Sequence, residues 1–181
     1  MTKKELRAQL RELPALPEAE SAERNCRLCE QVLALPAWPA ARSVGIYAAS
    51  AHEPDLHLLW DEKGDRSFYF PRVEGAGIAA ERLEFYRVDR PEDLVASRWG
   101  LREPGGDSPP VDPHVLDLVL VPGVAFTATG QRLGRGRGHY DRFLPRLRPD
   151  AVIYGICFTE RLLPVLPLEP HDVPLHGVLA G

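Results

Sequence analysis

Residues 116–126, LDLVLVPGVAF, form an almost continuous apolar run that a proline and a glycine interrupt near its end. A run without polar alternation predicts a strand that is covered on both faces of a sheet. Outward from it, residues 151–158 (AVIYGICF) and 43–50 (SVGIYAAS) have the same character. These three segments predict the buried centre of a sheet.

Helical patterns separate these strands. Residues 3–13 and 18–35 carry leucine and valine at helical spacing, and residues 139–147 predict a helix that Pro145 shortens. Further predictions are a helix at 53–64, strands at 66–73 and 83–88, and a long irregular loop at 99–113. Strands that alternate with helices predict an α/β class, a layered α/β/α domain with a largely parallel sheet and helices on both faces. We expect residues 1–181 to form a single domain.

The composition excludes several classes of protein. The chain has 181 residues with 44% hydrophobic and 27% charged residues, as in an ordinary globular domain. Its net charge of −4 argues against a general nucleic-acid binder. It has no apolar run near the roughly 20 residues of a membrane helix, and its charged N-terminus lacks a signal-peptide core. The sequence predicts a cytoplasmic protein, with no membrane or nucleic-acid partner and no obligate protein partner, acting as a monomer.

Three cysteines do not predict a disulfide framework. Cys26 and Cys29 form a C-x-x-C pattern within the predicted helix 18–35. A structural zinc site needs a second pair of ligands, which Cys157 alone cannot supply. We interpret them as cysteines on a helix face without chemistry.

Residues 130–144, GQRLGRGRGHYDRFL, concentrate four arginines and four glycines just after the strand predicted from residue 116. Alternate glycines let backbone amides turn around an anion, arginines match phosphate oxygens, and a helix from His139 would add its positive end. Asp141, beside such a site, is a candidate Mg²⁺ ligand. The pattern is neither a Walker A loop nor G-x-G-x-x-G. A loop with solvated arginines and an RNA-contacting loop are the alternatives.

The longer run 117–144 resembles the core motif of the 5-formyltetrahydrofolate cyclo-ligases, V-P-G-x-A-F followed by G-x-R-L-G-x-G-x-G-Y-Y-D-R-F-L. Other segments resemble the family in the same order, so that the resemblance covers nearly the whole chain: KKELR at 3–7, IYAASAHEPDLHLL at 46–59, FYFPRV at 68–73, WGLREP at 99–104 and VLPLEPHDVPLHGVL at 165–179. The resemblance implies that the protein closes 5-formyltetrahydrofolate to 5,10-methenyltetrahydrofolate with ATP and Mg²⁺. In that reaction the formyl oxygen attacks the γ-phosphate, and a nitrogen of the folate then displaces the phosphate.

The resemblance also assigns roles to residues by position. It places ATP against Lys3, Arg7 and the loop Arg132, Leu133, Gly134, Arg135, Gly136, Arg137, Gly138, His139 and Tyr140. Arg135, Arg137 and Tyr140 are the candidate catalytic residues. Glu53 and Trp99 would contact the folate, and Asp141 and Asp172 would bind Mg²⁺.

The chain departs from the family pattern at several positions. His139 stands where tyrosine is usual, Thr127 where aspartate is frequent and Arg161 near a usual glutamine, and the C-terminal end also differs. These changes leave the arginines and glycines of the loop and Asp141 in place, and they bear on folate binding more than on nucleotide binding. Two alternatives therefore stay open: a non-catalytic relative that binds nucleotide or folate, and a phosphosugar isomerase-like protein of similar architecture.

Overall fold

The main sheet has five parallel strands and one antiparallel edge strand in the part of the chain that the computed structural model describes, residues 1–77, 80–97 and 100–181. Its members in chain order are β1 (Ser43–Gly45), β2 (Ser67–Glu74), β3 (Arg82–Val88), β6 (Leu118–Val121), β9 (Val152–Cys157) and β10 (Gly177–Ala180). Two small hairpins join β4 (Leu94–Ala96) to β5 (Arg102–Pro104) and β7 (Ala125–Phe126) to β8 (Arg132–Leu133). The helices are α1 (Lys3–Arg11), α2 (Glu18–Leu33) and α3 (His139–Phe143).

Strand β6 shows why the sheet is covered on both faces. All four of its residues are buried. Leu118 and Leu120 pack in one cluster with α2, whereas Val119 and Val121 pack in a second cluster with Phe143 of α3. Successive side chains point to opposite faces of a strand, so an unbroken apolar run needs a helix on each side. The predicted α/β class, with helices on both faces, is confirmed.

The strands of the sheet lie in the order β10–β9–β6–β1–β2–β3. The chain adds β2 and β3 on one side of β1 and then adds β6, β9 and β10 on the other side, so the strand order reverses between β1 and β6. All pairs are parallel except β2 with β3. In open α/β sheets the carboxyl ends of strands form a ligand crevice at such a reversal. The loops after β1 and β6 therefore meet where a site is expected.

Helix α1 lies against the β7–β8 hairpin. Thr2 and Glu5 form a reciprocal cap, in which the Thr2 hydroxyl accepts from the Glu5 amide at 3.2 Å and the Glu5 carboxylate accepts from the Thr2 amide at 2.8 Å. Leu6 and Leu10 are buried with Leu133 of β8. This packing brings the polar face of α1 to the loop that follows β8.

Several predicted elements differ from the structure. The helix predicted at 53–64 is reduced to a 3-10 turn at 57–60, because the carbonyl of Pro54 accepts from the Tyr47 hydroxyl and the Asp55 amide donates to Asn25. The predicted loop 99–113 contains β5, which pairs with β4. The run 116–126 divides at residues 122–124 into β6 and β7. The strand β10 was not predicted. Helix α3 ends at Phe143, followed by a 3-10 turn through Pro145, as predicted.

Within the described ranges, no helix combines the length and the apolar character needed to cross a membrane. Cys26 and Cys29 lie on α2 as predicted, the first exposed and the second buried.

Gly130 closes the turn between β7 and β8 and supports the C-terminal segment. Its φ is +87°, and an added Cβ would lie 2.2 Å from the carbonyl oxygen of Leu175. Its own carbonyl accepts from the Leu175 amide at 2.8 Å. We therefore expect Gly130→Ala to lower the free energy of unfolding by about 2–4 kcal/mol, from backbone strain plus displacement of the segment around Leu175. Urea unfolding measures this loss.

Gly106→Ala is the matched control, because Gly106 has a similar φ of +82° but open space around an added Cβ. Gly106→Ala therefore introduces the backbone strain without a steric clash, and this strain costs about 1–2 kcal/mol. Equal losses in the two variants would contradict the importance of the contact at Leu175.

Candidate functional site

A cavity of about 280 Å³ opens at the carboxyl edge of the sheet. Its walls come from the loops after β1 and β6, from the β2–β3 and β4–β5 hairpins, and from the glycine-rich loop with the start of α3. The lining residues are Tyr47, Ala48, Glu53, Pro71, Val73, Leu83, Leu101, Arg102, Glu103, Pro122, Gly123, Arg132, Gly134, Arg135, Arg137, Gly138, His139, Tyr140 and Asp141.

The glycine-rich loop, residues 134–138, connects β8 to α3. Gly136 and Gly138 have φ of +100° and +64°, a region that residues with a Cβ rarely adopt. The Nε of Arg7 donates to the carbonyl of Gly134 at 2.7 Å, which ties α1 to this loop. The five-residue α3 that follows is too short to supply the strong positive helix end that the sequence suggested. Charge in this loop therefore comes mainly from its arginines.

Arg135 forms an ion pair with Glu53. Its Nη2 donates to Oε1 of Glu53 at 2.8 Å and to the hydroxyl of Ser50 at 2.7 Å. The other carboxylate oxygen of Glu53 accepts from the amide and the hydroxyl of Ser50, at 3.0 and 2.8 Å. The Glu53 side chain is 8% exposed and that of Arg135 is 51% exposed. The loop after β1 thus supplies a fixed carboxylate that orients a partly exposed guanidinium.

Arg137 and His139 share Glu81, the residue before β3. Arg137 Nη1 lies 2.8 Å and His139 Nε2 lies 3.2 Å from Oε2 of Glu81. Burial would raise the pKa of Glu81, but the contacts with Arg137 and His139 outweigh it and hold the pKa below its usual value. Burial lowers the pKa of His139, which favours the neutral imidazole.

Arg132, Tyr140 and Asp141 form the floor of the cavity. Arg132 donates to Oδ1 of Asp141 at 3.2 Å and to the carbonyl of Pro122 at 3.3 Å, and its guanidinium lies 5.1 Å from the centre of the Tyr140 ring. Burial raises the pKa of Tyr140, so its hydroxyl stays protonated. Among the described residues, this buried hydroxyl and the Nε of Arg132 have no hydrogen-bond partner. Buried polar groups of this kind favour a polar ligand in the cavity.

Lys3 and Asp172 pair with each other at the side of α1. Lys3 Nζ lies 2.7 Å from both oxygens of Asp172 and 2.6 Å from Oε2 of Glu169. Burial would raise the pKa of Asp172, but hydrogen bonds from Lys3 and from the Glu169 amide hold it below its usual value. His171 completes a group of three potential ligand residues with Glu169 and Asp172.

The structure brings most of the predicted site residues together. The cavity is lined by Glu53, Arg132, Gly134, Arg135, Arg137, Gly138, His139, Tyr140 and Asp141, whereas Lys3, Arg7, Leu133, Gly136 and Asp172 do not line it. Leu133 is 1% exposed and packs with Leu6 and Leu10 of α1, so it supports the loop from below rather than facing the cavity. Trp99 lies outside the described residues.

Sequence reasoning missed Glu81, which lies between the strands predicted at 66–73 and 83–88. It also missed Tyr47 and the pair Arg102 and Glu103 in the cavity wall. A single glutamate among glycine and alanine residues gives no pattern, because its burial is set by the distant loop that covers it. Only its position just before a predicted strand was a signal.

Comparisons with known proteins agree with the resemblance noted in the sequence. A sequence model described as the 5-formyltetrahydrofolate cyclo-ligase family matches residues 1–181. The 5-formyltetrahydrofolate cyclo-ligase of Mycolicibacterium smegmatis is 42% identical over 145 residues, which cover 77% of this chain and 74% of that protein. The one of Escherichia coli is 28% identical over 169 residues, with coverage of 91% and 92%.

A solved structure is also similar over the whole fold. The NMR structure of 5,10-methenyltetrahydrofolate synthetase from Aquifex aeolicus matches with a TM-score of 0.83 at 30% identity, and covers 99% of this chain and 90% of its own. The name 5-formyltetrahydrofolate cyclo-ligase states the substrate of a reaction, and the name 5,10-methenyltetrahydrofolate synthetase states its product, so both describe the same reaction. They favour a cyclo-ligase over a phosphosugar isomerase of similar architecture.

Proposed function

Because the chain belongs to the 5-formyltetrahydrofolate cyclo-ligase family, we propose that it is an enzyme that closes 5-formyltetrahydrofolate to 5,10-methenyltetrahydrofolate and converts ATP to ADP and phosphate. The observation that carries the proposal is the match over residues 1–181 together with a cavity whose wall holds Arg132, Arg135 and Arg137. A cytoplasmic location and a monomeric state stay predictions of the sequence.

The reaction places two demands on the site. The formyl oxygen is a poor leaving group until it takes the γ-phosphoryl group, when the bond between phosphorus and the oxygen of ADP breaks. A folate nitrogen then bonds to the formyl carbon, and the carbon–oxygen bond breaks as phosphate leaves. Both steps need charge stabilisation and alignment more than covalent participation of the protein. Arginines fixed on buried carboxylates meet that need because their geometry exists before the ligand arrives.

We assign the nucleotide phosphates to the loop arginines and to Arg7. Arg7 is held by its Nε at Gly134, which leaves its two terminal nitrogens to reach an anion beside the loop. Lys3 is engaged with Asp172 and Glu169, so its proposed phosphate contact requires this group to rearrange. The Tyr140 hydroxyl, buried and still a donor, is positioned to bond a polar atom of the substrate.

The residues present fit a Mg²⁺ ion. Oδ1 of Asp141 faces Arg132, and the carboxylate lines the cavity with 15% of the side chain exposed. Mg²⁺ typically takes one or two protein carboxylates together with phosphate oxygens and water. Asp141 would hold it, with Asp172 as the second candidate once Lys3 releases it. When bound, the ion neutralises charge that builds on the phosphate oxygens.

The direct test is the absorbance band of the methenyl product. Purified protein is mixed with 5-formyltetrahydrofolate, ATP and Mg²⁺, and matched reactions omit ATP or replace Mg²⁺ with a chelator. We expect product only in the complete mixture. Nucleotide or folate binding by calorimetry without any product would instead favour the non-catalytic relative.

Glu53 is the residue proposed to recognise the folate. We expect Glu53→Gln to raise the folate KM by about tenfold, because the loss of one charged hydrogen bond is worth about 1.5–3 kcal/mol. The ATP KM should rise less, because Arg135 retains its hydrogen bond to Ser50. Steady-state kinetics with each substrate varied in turn measures both changes.

The control is Glu23→Gln, which removes the same charge from an exposed pair on α2 with Arg27. It should change neither KM. A Glu53 variant with a raised ATP KM and an unchanged folate KM would show that Glu53 serves the nucleotide alone.

A further inference from the structure

We infer that Glu81 is a positioning residue for the glycine-rich loop and the start of α3, a role that the resemblance to the family does not assign. It acts by holding Arg137 and His139 in place against the cavity, and the inference rests on the proposed function of that cavity. Glu81 itself does not line the cavity, whereas both of its partners do. It is therefore behind the residues that would meet the ligand.

Glu81 contacts three residues at the end of the glycine-rich loop and in α3. Its carboxylate binds Arg137 at 2.8 Å and His139 at 3.2 Å through the same oxygen. Its backbone carbonyl accepts from Arg142 at 3.3 Å, and Arg142 also donates to the carbonyl of Arg137 at 2.8 Å. The residue thus joins the start of β3 to both ends of the segment 137–142.

Burial decides whether Glu81 supports Arg137 or competes with the ligand for it. The Glu81 side chain is 3% exposed, and that of Arg137 is 40% exposed. If a phosphate took Arg137 away, Glu81 would be left as a buried charge with fewer partners, which is strongly unfavourable. Arg137 is therefore expected to keep its Nη1 on Glu81 and to offer its exposed edge to the phosphate. The carboxylate orients the arginine and is not displaced.

Arg135 has the same arrangement, with Glu53 of the loop after β1 as its carboxylate partner. It is half exposed and is anchored on the buried Glu53. Two arginines only two residues apart are thus each fixed by a buried carboxylate from a different part of the sheet. This arrangement reduces the repulsion between neighbouring positive charges and lowers the conformational freedom that each arginine loses on binding.

The test compares Glu81→Gln with Glu84→Gln. Glu84 of β3 binds Arg146 at 2.9 and 3.0 Å, and the Arg146 side chain is 43% exposed, close to the value for Arg137. Neither residue of this control pair lines the cavity. We expect Glu81→Gln to raise the Kd of Mg-ATP and its KM by about tenfold, the scale of one lost charge-assisted contact, with little change in the folate KM. Glu84→Gln should leave all three near the wild-type values.

A double-mutant cycle with Arg137→Ala separates positioning from a structural role. If Glu81 acts through Arg137, Glu81→Gln should change the Kd of Mg-ATP by less than about twofold once Arg137 is absent. Additive losses would overturn the inference, as would a lower Tm in Glu81→Gln with unchanged Mg-ATP affinity. Because calorimetry measures the nucleotide alone, non-additive Kd values in a protein that forms no methenyl product would retain this inference and reject the proposed reaction.

Discussion

Asp141→Asn is expected to reduce the rate of ring closure by about 10²-fold or more and to raise the Mg²⁺ concentration for half-maximal rate. The substitution keeps the shape of the side chain and removes its charge. Asp141 is the carboxylate that the cavity presents directly after the arginine-rich loop. An amide oxygen is a weaker ligand than a carboxylate for a hard cation. The rate measured against free Mg²⁺ gives both quantities.

Stability must be measured in parallel, because Asp141 also accepts from Arg132, whose side chain is 4% exposed. A loss of folding would reduce the rate at every Mg²⁺ concentration, whereas a loss of metal affinity is partly restored by more Mg²⁺. Asp150→Asn is the control, because Asp150 pairs with Arg148 and is 79% exposed. Wild-type Mg²⁺ dependence in Asp141→Asn would exclude this residue as the ligand.

Arg135→Ala is expected to weaken Mg-ATP binding by about 10- to 100-fold, since a charge-assisted contact contributes about 1.5–3 kcal/mol. The substitution removes the guanidinium from the cavity wall and leaves Glu53 with Ser50 as its partner. A smaller increase in the folate KM should accompany it, because Glu53 loses its orienting cation. Calorimetry with Mg-ATP and kinetics with varied folate measure the two effects.

Arg87→Ala is the matched control, an exposed arginine paired with Asp89 outside the cavity. Unchanged Mg-ATP affinity in Arg135→Ala would remove the main support for phosphate binding by the loop. Loss of folate binding alone would place Arg135 on the folate side with Glu53.

The fold was predictable where burial follows from the local pattern. The apolar runs at 43–50, 116–126 and 151–158 predicted three strands that are neighbours in the sheet. A strand without polar alternation has apolar side chains on both faces, and both faces are buried only between two layers. The segment 53–64 had local helix signals at its ends, but tertiary hydrogen bonds to Pro54 and Asp55 override them. Signals at the two ends of a predicted helix are weak evidence when backbone groups between them have hydrogen-bond partners elsewhere in the fold.

The site was predictable to the extent that its residues are adjacent in the chain. Arg135, Arg137, Tyr140 and Asp141 come from one motif and line one cavity. The partners that fix them come from elsewhere, and no spacing links residue 81 to residue 137. The pairing of Lys3 with Asp172 was likewise not foreseen, although the resemblance placed both near the nucleotide. Contacts between distant segments depend on the folded topology, which a single sequence does not display.

The position of α1 has a consequence for synthesis of the chain. Arg7 donates to the carbonyl of Gly134, which lies 127 residues downstream, and Lys3 donates to the carboxylate of Asp172, which lies 169 residues downstream. Helix α1 is therefore synthesised long before either of these polar partners. A chain that stops before residue 172 would carry the complete arginine-rich loop but would lack the carboxylate that secures Lys3. Premature release during translation should accordingly yield a fragment with an unfinished nucleotide site.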